Sequence, residues 1–242
     1  ARDMTQFHDA SILWPDATRE FLDLWRDFTD LEFREFAKKL TFLPKAPTRV
    51  IPVNTAIDAR ARVLAAEDVM KILEEAKKIA VVKCTCRLAA KRCDYPLEAC
   101  LQVNRGAEYS IERGTGRELT LEEAKDIIKL CHEQGLLTMT VNRPQVEGFI
   151  CNCCGCCCIQ MPAVIEHGAK LLGPSRFRAF IEEEKCTGCE DCLERCWFKA
   201  LSMEDDVAVV NADKCFGCGL CQVVCPADAI ALKEVRPPEF IS

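Results

Sequence analysis

The sequence predicts an α+β protein in two parts. A mostly helical, cysteine-rich domain spans residues 1–175, and a small repeat-built domain spans residues 176–242. Three observations carry that reading. Apolar residues recur at helical spacing over long stretches of the first part. Lys185–Met203 aligns with Lys214–Leu232 at a fixed offset of 29 residues. Nineteen cysteines sit in 242 residues, far above ordinary usage.

Residues 16–40 read as an amphipathic helix, with Phe21, Leu24, Trp25, Phe28, Leu31 and Phe36 on the apolar side. Its acidic start near Asp16 and basic end at Lys38 and Lys39 suit the helix dipole. It either packs on the rest of the chain or docks a partner subunit. Pro44, Pro47 and Pro52 then break regular structure, leaving room for a short strand at Arg49–Val53. Glu67–Ala80 reads as a helix, and Ile79–Val82 leads into Cys84. Residues 96–110 read as helical from Pro96. Thr120–Gln134 is the best-signed helix, with a Thr120/Glu123 capping box and a stop at Gly135. Leu136–Val141 follows as a strand, a helix–strand pair that resembles winged-helix architecture. Residues 159–173 read as a helix ended by Gly173-Pro174. Each half of the repeat, within residues 177–235, has a cysteine run, a helical turn and a strand-like tail (Ala200–Met203, Ala229–Leu232). Val207 and Val209 alternate as a hairpin strand would.

A disulfide scaffold is the wrong use for these cysteines. That architecture belongs to short secreted chains, and adjacent cysteines pair poorly. Metal clusters in a reducing, cytoplasmic setting account for the count. No basic segment precedes an apolar core at the start, and no apolar run is long enough to span a bilayer. A formal net charge of −6 without a basic patch argues against nucleic acid as a partner.

Two matching runs lie near the C-terminus: Cys186-x2-Cys189-x2-Cys192-x3-Cys196 and Cys215-x2-Cys218-x2-Cys221-x3-Cys225-Pro226. A C-x2-C-x2-C loop wraps three corners of a [4Fe-4S] cubane, and a fourth thiolate must come from elsewhere. Zinc is the competing occupant, since CxxC pairs also build zinc ribbons. This stretch resembles the bacterial-type ferredoxin domain with two [4Fe-4S] clusters. The resemblance implies that the fourth cysteine of each run crosses over. One cluster then takes Cys186, Cys189, Cys192 and Cys225, and the other takes Cys215, Cys218, Cys221 and Cys196. Trp197 stands where the family usually has a proline, as at Pro226. Gly188, Gly217 and Gly219 would let backbone amides approach the cluster sulfurs.

The other eleven cysteines lie upstream. Cys84-x-Cys86-x6-Cys93-x6-Cys100 offers four thiols beside Arg87, Lys91 and Arg92, whose charge favours thiolates. Cys151, Cys153, Cys154, Cys156, Cys157 and Cys158 offer six more. In an extended chain Cys151 and Cys153 share a face while Cys154 points away. A bend at Gly155 would let Cys156 and Cys158 converge. The ten thiols fit one further [4Fe-4S] cluster, two further clusters, or an unusual centre with spare thiols or an open iron; structural zinc is the plain alternative. Cys131, following Ile127, Ile128 and Leu130, reads as core.

The upstream region resembles a group of 4Fe-4S-binding proteins of anaerobic bacteria and archaea. The features that carry this are Arg49-Val50-Ile51-Pro52-Val53, Cys84-Thr85-Cys86-Arg87, Cys93-x2-Pro96-x-Glu98-x-Cys100, Gly135-Leu136 and the Cys151–Cys158 run. The resemblance implies cluster binding and supplies no substrate. Cys153-Cys154-Gly155 matches the CCG string of disulfide-reductase subunits by letters, without their long spacings or second copy. His8, His132 and His167 are isolated, with His132 expected to face solvent. Gly114-Thr115-Gly116 lacks the setting of a dinucleotide fingerprint, and no Ser/His/Asp or acid-pair arrangement is present.

The expectation is an electron-transfer protein with three or four [4Fe-4S] clusters, two C-terminal and one or two upstream. It would serve as a subunit or partner of a larger oxidoreductase rather than as a stand-alone catalyst, without membrane insertion. The alternative is an enzyme that reduces a disulfide or thiol-type substrate at the upstream centre. A redox sensor acting through the winged-helix-like segment is a third reading, opposed by the acidic surface.

Overall fold

The computed structural model describes residues 17–146 and 148–241. His8 and Asp16 lie outside them. α1 (Arg19–Asp27) begins at a Thr18 cap and runs through a π-helical stretch, Phe28–Phe33, into α2 (Arg34–Ala37). Leu22 and Phe33 are buried, whereas Leu24, Leu31 and Phe36 stay exposed. Arg19 ties α1 to the rest by donating to the carbonyls of Leu88 and Ala89 at 2.9 and 3.0 Å.

The upstream region is not mostly helical. Its centre is a seven-stranded mixed sheet in the order β4-β2-β3-β6-β5-β1-β7. The strands are β1 (Thr48–Val50), β2 (Ile79–Lys83), β3 (Glu98–Val103), β4 (Gly116–Glu118), β5 (Leu137–Val141), β6 (Gly148–Cys153) and β7 (Leu172–Gly173). Neighbours pair antiparallel except β1 with β7. The expected helix over Glu67–Ala80 shrinks to α3 (Val69–Glu75), capped by Asp68, whose side chain accepts from the N–H groups of Met70 and Lys71. Ile79 and Ala80 belong to β2. The expected helix from Pro96 is β3 in its first half, and α5 (Arg105–Glu112) starts only after it. Both misreadings have one cause. β2 and β3 are buried on both faces, so their apolar residues run on without the alternation that marks a half-exposed strand.

α6 (Leu121–Glu133) forms as expected, with the reciprocal Thr120/Glu123 capping box in place. β5 follows it but lies between β6 and β1 inside the large sheet, which removes the winged-helix resemblance. His132 is a further correction. It is 8% exposed, and its Nε2 lies 2.8 Å from Thr138 Oγ1. Thr138 donates to Asn152 Oδ1, so the His132 Nε2–H donates to Thr138. α7 (Met161–His167) stops earlier than Gly173, because Gly168 takes up the left-handed conformation at its C-cap.

The two faces of the sheet carry different chemistry. Val81, Leu101, Val103 and Ile150 pack with α3 and α6 residues such as Leu73 and Ile128. Val82, Cys100, Met139, Cys151 and Cys153 face a second core that continues into the C-terminal segment through Phe177, Phe198, Leu220 and Leu232. That segment holds β8 (Phe177–Ile181) antiparallel to β11 (Ile230–Glu234), and β9 (Leu201–Glu204) antiparallel to β10 (Val207–Val210). Short helices α8 (Asp191–Arg195) and α9 (Leu220–Val223) occupy equivalent places in the two copies. Main-chain bonds lace the segment to the sheet region, with the N–H of Val53 donating to Cys218 O at 2.8 Å and that of Asp58 to Leu232 O at 2.9 Å.

At this joint Arg176 is fully buried. It donates to both carboxylate oxygens of buried Glu67 at 2.9 Å, to Glu234 Oε1 at 2.6 Å, and to the carbonyls of Arg62 and Arg236 at 2.6 and 3.1 Å. All five guanidinium protons are thereby used. Among the described residues no helix is long and apolar enough to cross a membrane.

Candidate metal centres

Two cavities in the C-terminal segment are lined by four thiols each. One has Cys186, Cys189, Cys192 and Cys225; the other has Cys196, Cys215, Cys218 and Cys221. They are of similar size, about 20 Å³ each, as an internal repeat requires. The repeat extends to the amide–sulfur bonds: Ala200 N–H donates to Cys196 Sγ and Ala229 N–H to Cys225 Sγ, each at 3.3 Å. Gly217 is held at φ +64° with its ideal Cβ position only 2.1 Å from Phe177 O, so a side chain has no room there. Burial pushes the Cys192 thiol up to about 11 and Cys218 up to about 12. Cys189 is exposed.

The ten upstream thiols divide differently from their order in the sequence. The register Leu101↔Ile150 sets Cys100 beside Cys151 across β3 and β6, and Val82↔Cys100 brings the end of β2 alongside. Cys153 shares the face of Cys151 by strand alternation. Cys84 closes β2, Cys86 lies on α4 (Thr85–Ala90), and Cys158 follows the turn after β6. These six thiols form a chain of neighbours in the order Cys86, Cys84, Cys100, Cys151, Cys153, Cys158. All are buried except half-buried Cys86. Neighbouring Cys100 and Cys86 thiols, with Arg87 behind them, hold Cys84 well below the ordinary thiol range. The Cys84 thiol and burial push Cys86 up, and the Cys151 thiol and burial do the same to Cys158's neighbour-chain partner Cys153.

The remaining four gather on the opposite side of the strand. Cys93, Cys154, Cys156 and Cys157 have their sulfurs within 4.8 Å of one another. Cys93 thus leaves the set it shares in the sequence, and Cys156 and Cys158 part company instead of converging. Arg87 sits between the two groups, 2% exposed, with Nη2 3.6 Å from Cys154 Sγ and 3.2 Å from Asn152 O. Burial opposes its charge, but Cys84 and Cys154 outweigh burial and hold the guanidinium above its ordinary value. Cys131 is a core residue outside both thiol groups: it is fully buried in a small cluster with Ala99, Leu136, Cys154 and Cys157, and burial raises its thiol to about 12.

Trp197 explains its departure from proline. Its Nε1–H donates to Gly135 O at 2.8 Å, and its ring lies over Gly155 in the middle of the thiol turn, where a Cβ would fall 2.6 Å from Cε3. A sequence reading has no signal for this contact or for the Arg176–Glu67 pair, which join positions far apart in the chain.

Among the curated proteins nothing matches the chain, and among the solved structures nothing does. Residues 179–232 match the family described as the 4Fe-4S dicluster domain. The C-terminal segment of this cysteine-rich protein is a 4Fe-4S dicluster domain, with two clusters.

Proposed function

We propose that the chain is an electron-transfer protein that relays single electrons through three [4Fe-4S] clusters. Cys186, Cys189, Cys192 and Cys225 would hold one, and Cys215, Cys218, Cys221 and Cys196 the second. The third would draw four ligands from Cys84, Cys86, Cys100, Cys151, Cys153 and Cys158. One observation carries the relay: these six thiols share a single hydrophobic core with seven of the eight thiols of the dicluster domain, all but Cys189. The cavity of Cys196 lies on the joined side, next to Trp197 and the Val53–Cys218 bond. Exposed Cys189 in the other cavity offers the surface exit. The exposed stripe of Leu24, Leu31 and Phe36 supports docking to a larger oxidoreductase that holds the substrate site.

Anaerobic iron and sulfide analysis with an EPR reductive titration tests this. The expected count is about 12 cluster irons per chain, four for each cubane, with interacting paramagnets on full reduction. A count near about 8 would sink the relay.

A second reading, reduction of a disulfide or thiol-type substrate, draws on a crevice that reaches Cys86, Cys157 and Cys158 and is lined by Arg26, Arg34 and Arg92. Each of these arginines is already paired with Asp23, Asp27 or Asp30, which counts against an anion site. A spectral change on adding small disulfides to the reduced protein would favour it.

A further inference from the structure

The four thiols of the turn after β6 and the loop after α4 all close on one another, whereas the six sheet thiols touch only from neighbour to neighbour. Cys93 Sγ lies 3.8 Å from Cys154 Sγ and 3.5 Å from Cys157 Sγ, and Cys156 Sγ lies 3.8 Å from Cys157 Sγ. A metal–thiolate bond of about 2.3 Å sets the edges of a regular tetrahedron at about 3.8 Å. Among the described residues no other group of three or more His, Cys, Asp or Glu converges within 4.8 Å. The eight thiols of the dicluster domain are an internal control. They serve cubanes and stand around cavities rather than touching. A cubane holds its thiolates apart, whereas a lone ion draws them together.

The surroundings suit a compact anion. Four thiolates around a divalent ion carry two net negative charges. Arg87 Nη2 approaches Cys154 Sγ at 3.6 Å, and Arg92 Nη1 donates to Cys156 O at 3.2 Å. The backbone N–H groups of Tyr95 and Arg92 point to the Cys93 and Cys157 sulfurs, as outer partners of thiolate ligands do. Four protein ligands leave no open position, which is the pattern of a structural site.

We propose that Cys93, Cys154, Cys156 and Cys157 hold one tetrahedral divalent ion, zinc or a lone iron, in a closed four-thiolate site separate from the clusters. The ion pins the Cys93 loop to the turn on which Trp197 rests, and so fixes the wall between the upstream region and the dicluster domain.

The test is metal and acid-labile sulfide analysis of the full chain, purified anaerobically. A zinc site gives about one zinc per chain, with an X-ray absorption edge showing four sulfurs at about 2.3 Å and no metal neighbour. A lone-iron site gives about one iron in excess of sulfide. Cys156→Ala should lose that ion and leave cluster iron and sulfide unchanged. Iron equal to sulfide with no zinc overturns the proposal, as does a Cys156→Ala protein that loses about four irons and four sulfides together. If the variant fails to fold, the wild-type stoichiometry still decides. The relay stands or falls separately. About 8 cluster irons with one zinc sinks the relay and keeps this site, whereas about 12 irons matched by sulfide without zinc does the reverse.

Discussion

Replacing Arg176 with Met should cost about 3–5 kcal/mol, the range for removing one partner of a buried ion pair. The structure sets the magnitude. Arg176 satisfies five acceptors, and Glu67, itself fully buried, takes two of those bonds. Without the guanidinium, the protein bond recorded for the Glu67 carboxylate is the one from Leu64 N–H at 3.1 Å. A buried carboxylate would remain at the joint between the sheet and the dicluster domain, stripped of both guanidinium bonds and facing only the charge of nearby Arg49. At about 1.36 kcal/mol per decade, the unfolding equilibrium shifts roughly 10²- to 10⁴-fold. The assay is the anaerobic guanidinium midpoint and the unfolding rate, followed by tryptophan emission and visible absorbance together. The double variant Arg176→Met with Glu67→Leu removes the orphan charge and should recover most of the loss. A single variant that costs less than about 1 kcal/mol would refute the reasoning, and so would a double variant no better than the single.

Three further outcomes follow from neighbouring features. Burial lowers the His132 pKa from 6.5 to about 4, so the unfolded chain binds the proton more readily between those values. Its contribution to stability is complete above pH 6.5 and falls by about 3 kcal/mol as the pH drops to 4; thermal midpoints of His132→Gln should show a flatter acid limb than wild type. Gly155→Ala drives a methyl into the Trp197 ring and should cost about 1–3 kcal/mol while shifting tryptophan emission; an unshifted spectrum would contradict the packing. Thr120→Ala removes the capping box of α6 at about 1 kcal/mol in denaturant midpoint, and Thr120→Ser should retain most of it.

The elements legible in the sequence are those whose signals are local. α6 carries its cap, its period and its glycine stop within sixteen residues, Thr120 to Gly135. The repeat likewise announces itself, because each copy carries its own cysteine run at the same spacing. β2 and β3 were hidden because burial on both faces erases alternation, leaving short apolar runs that suit either helix or strand. The grouping of the upstream thiols was hidden for another reason. Cys100 meets Cys151 through sheet register, and Cys93 meets Cys157 through the turn after β6. Spacing along one segment carries no information about either. His132 looked exposed because its partner, Thr138, comes from the next strand.

The departure at Trp197 joins these threads. The two copies of the repeat place Cys196 and Cys225 equivalently, down to the amide that donates to each sulfur. The next residue is Trp197 in one copy and Pro226 in the other. A change in cluster ligation would alter the sulfurs or their amides, and these are the same. What differs is the neighbour: Trp197 reaches Gly135 and Gly155, while Arg195, two residues earlier, donates to Glu133 O at 3.1 Å. One copy of the repeat thus carries an interface to the end of α6 and to the upstream thiol turn. The indole is large enough to fill the space left by Gly155 and still place its one donor on a carbonyl. The asymmetry of the repeat is therefore set by contact with the upstream region.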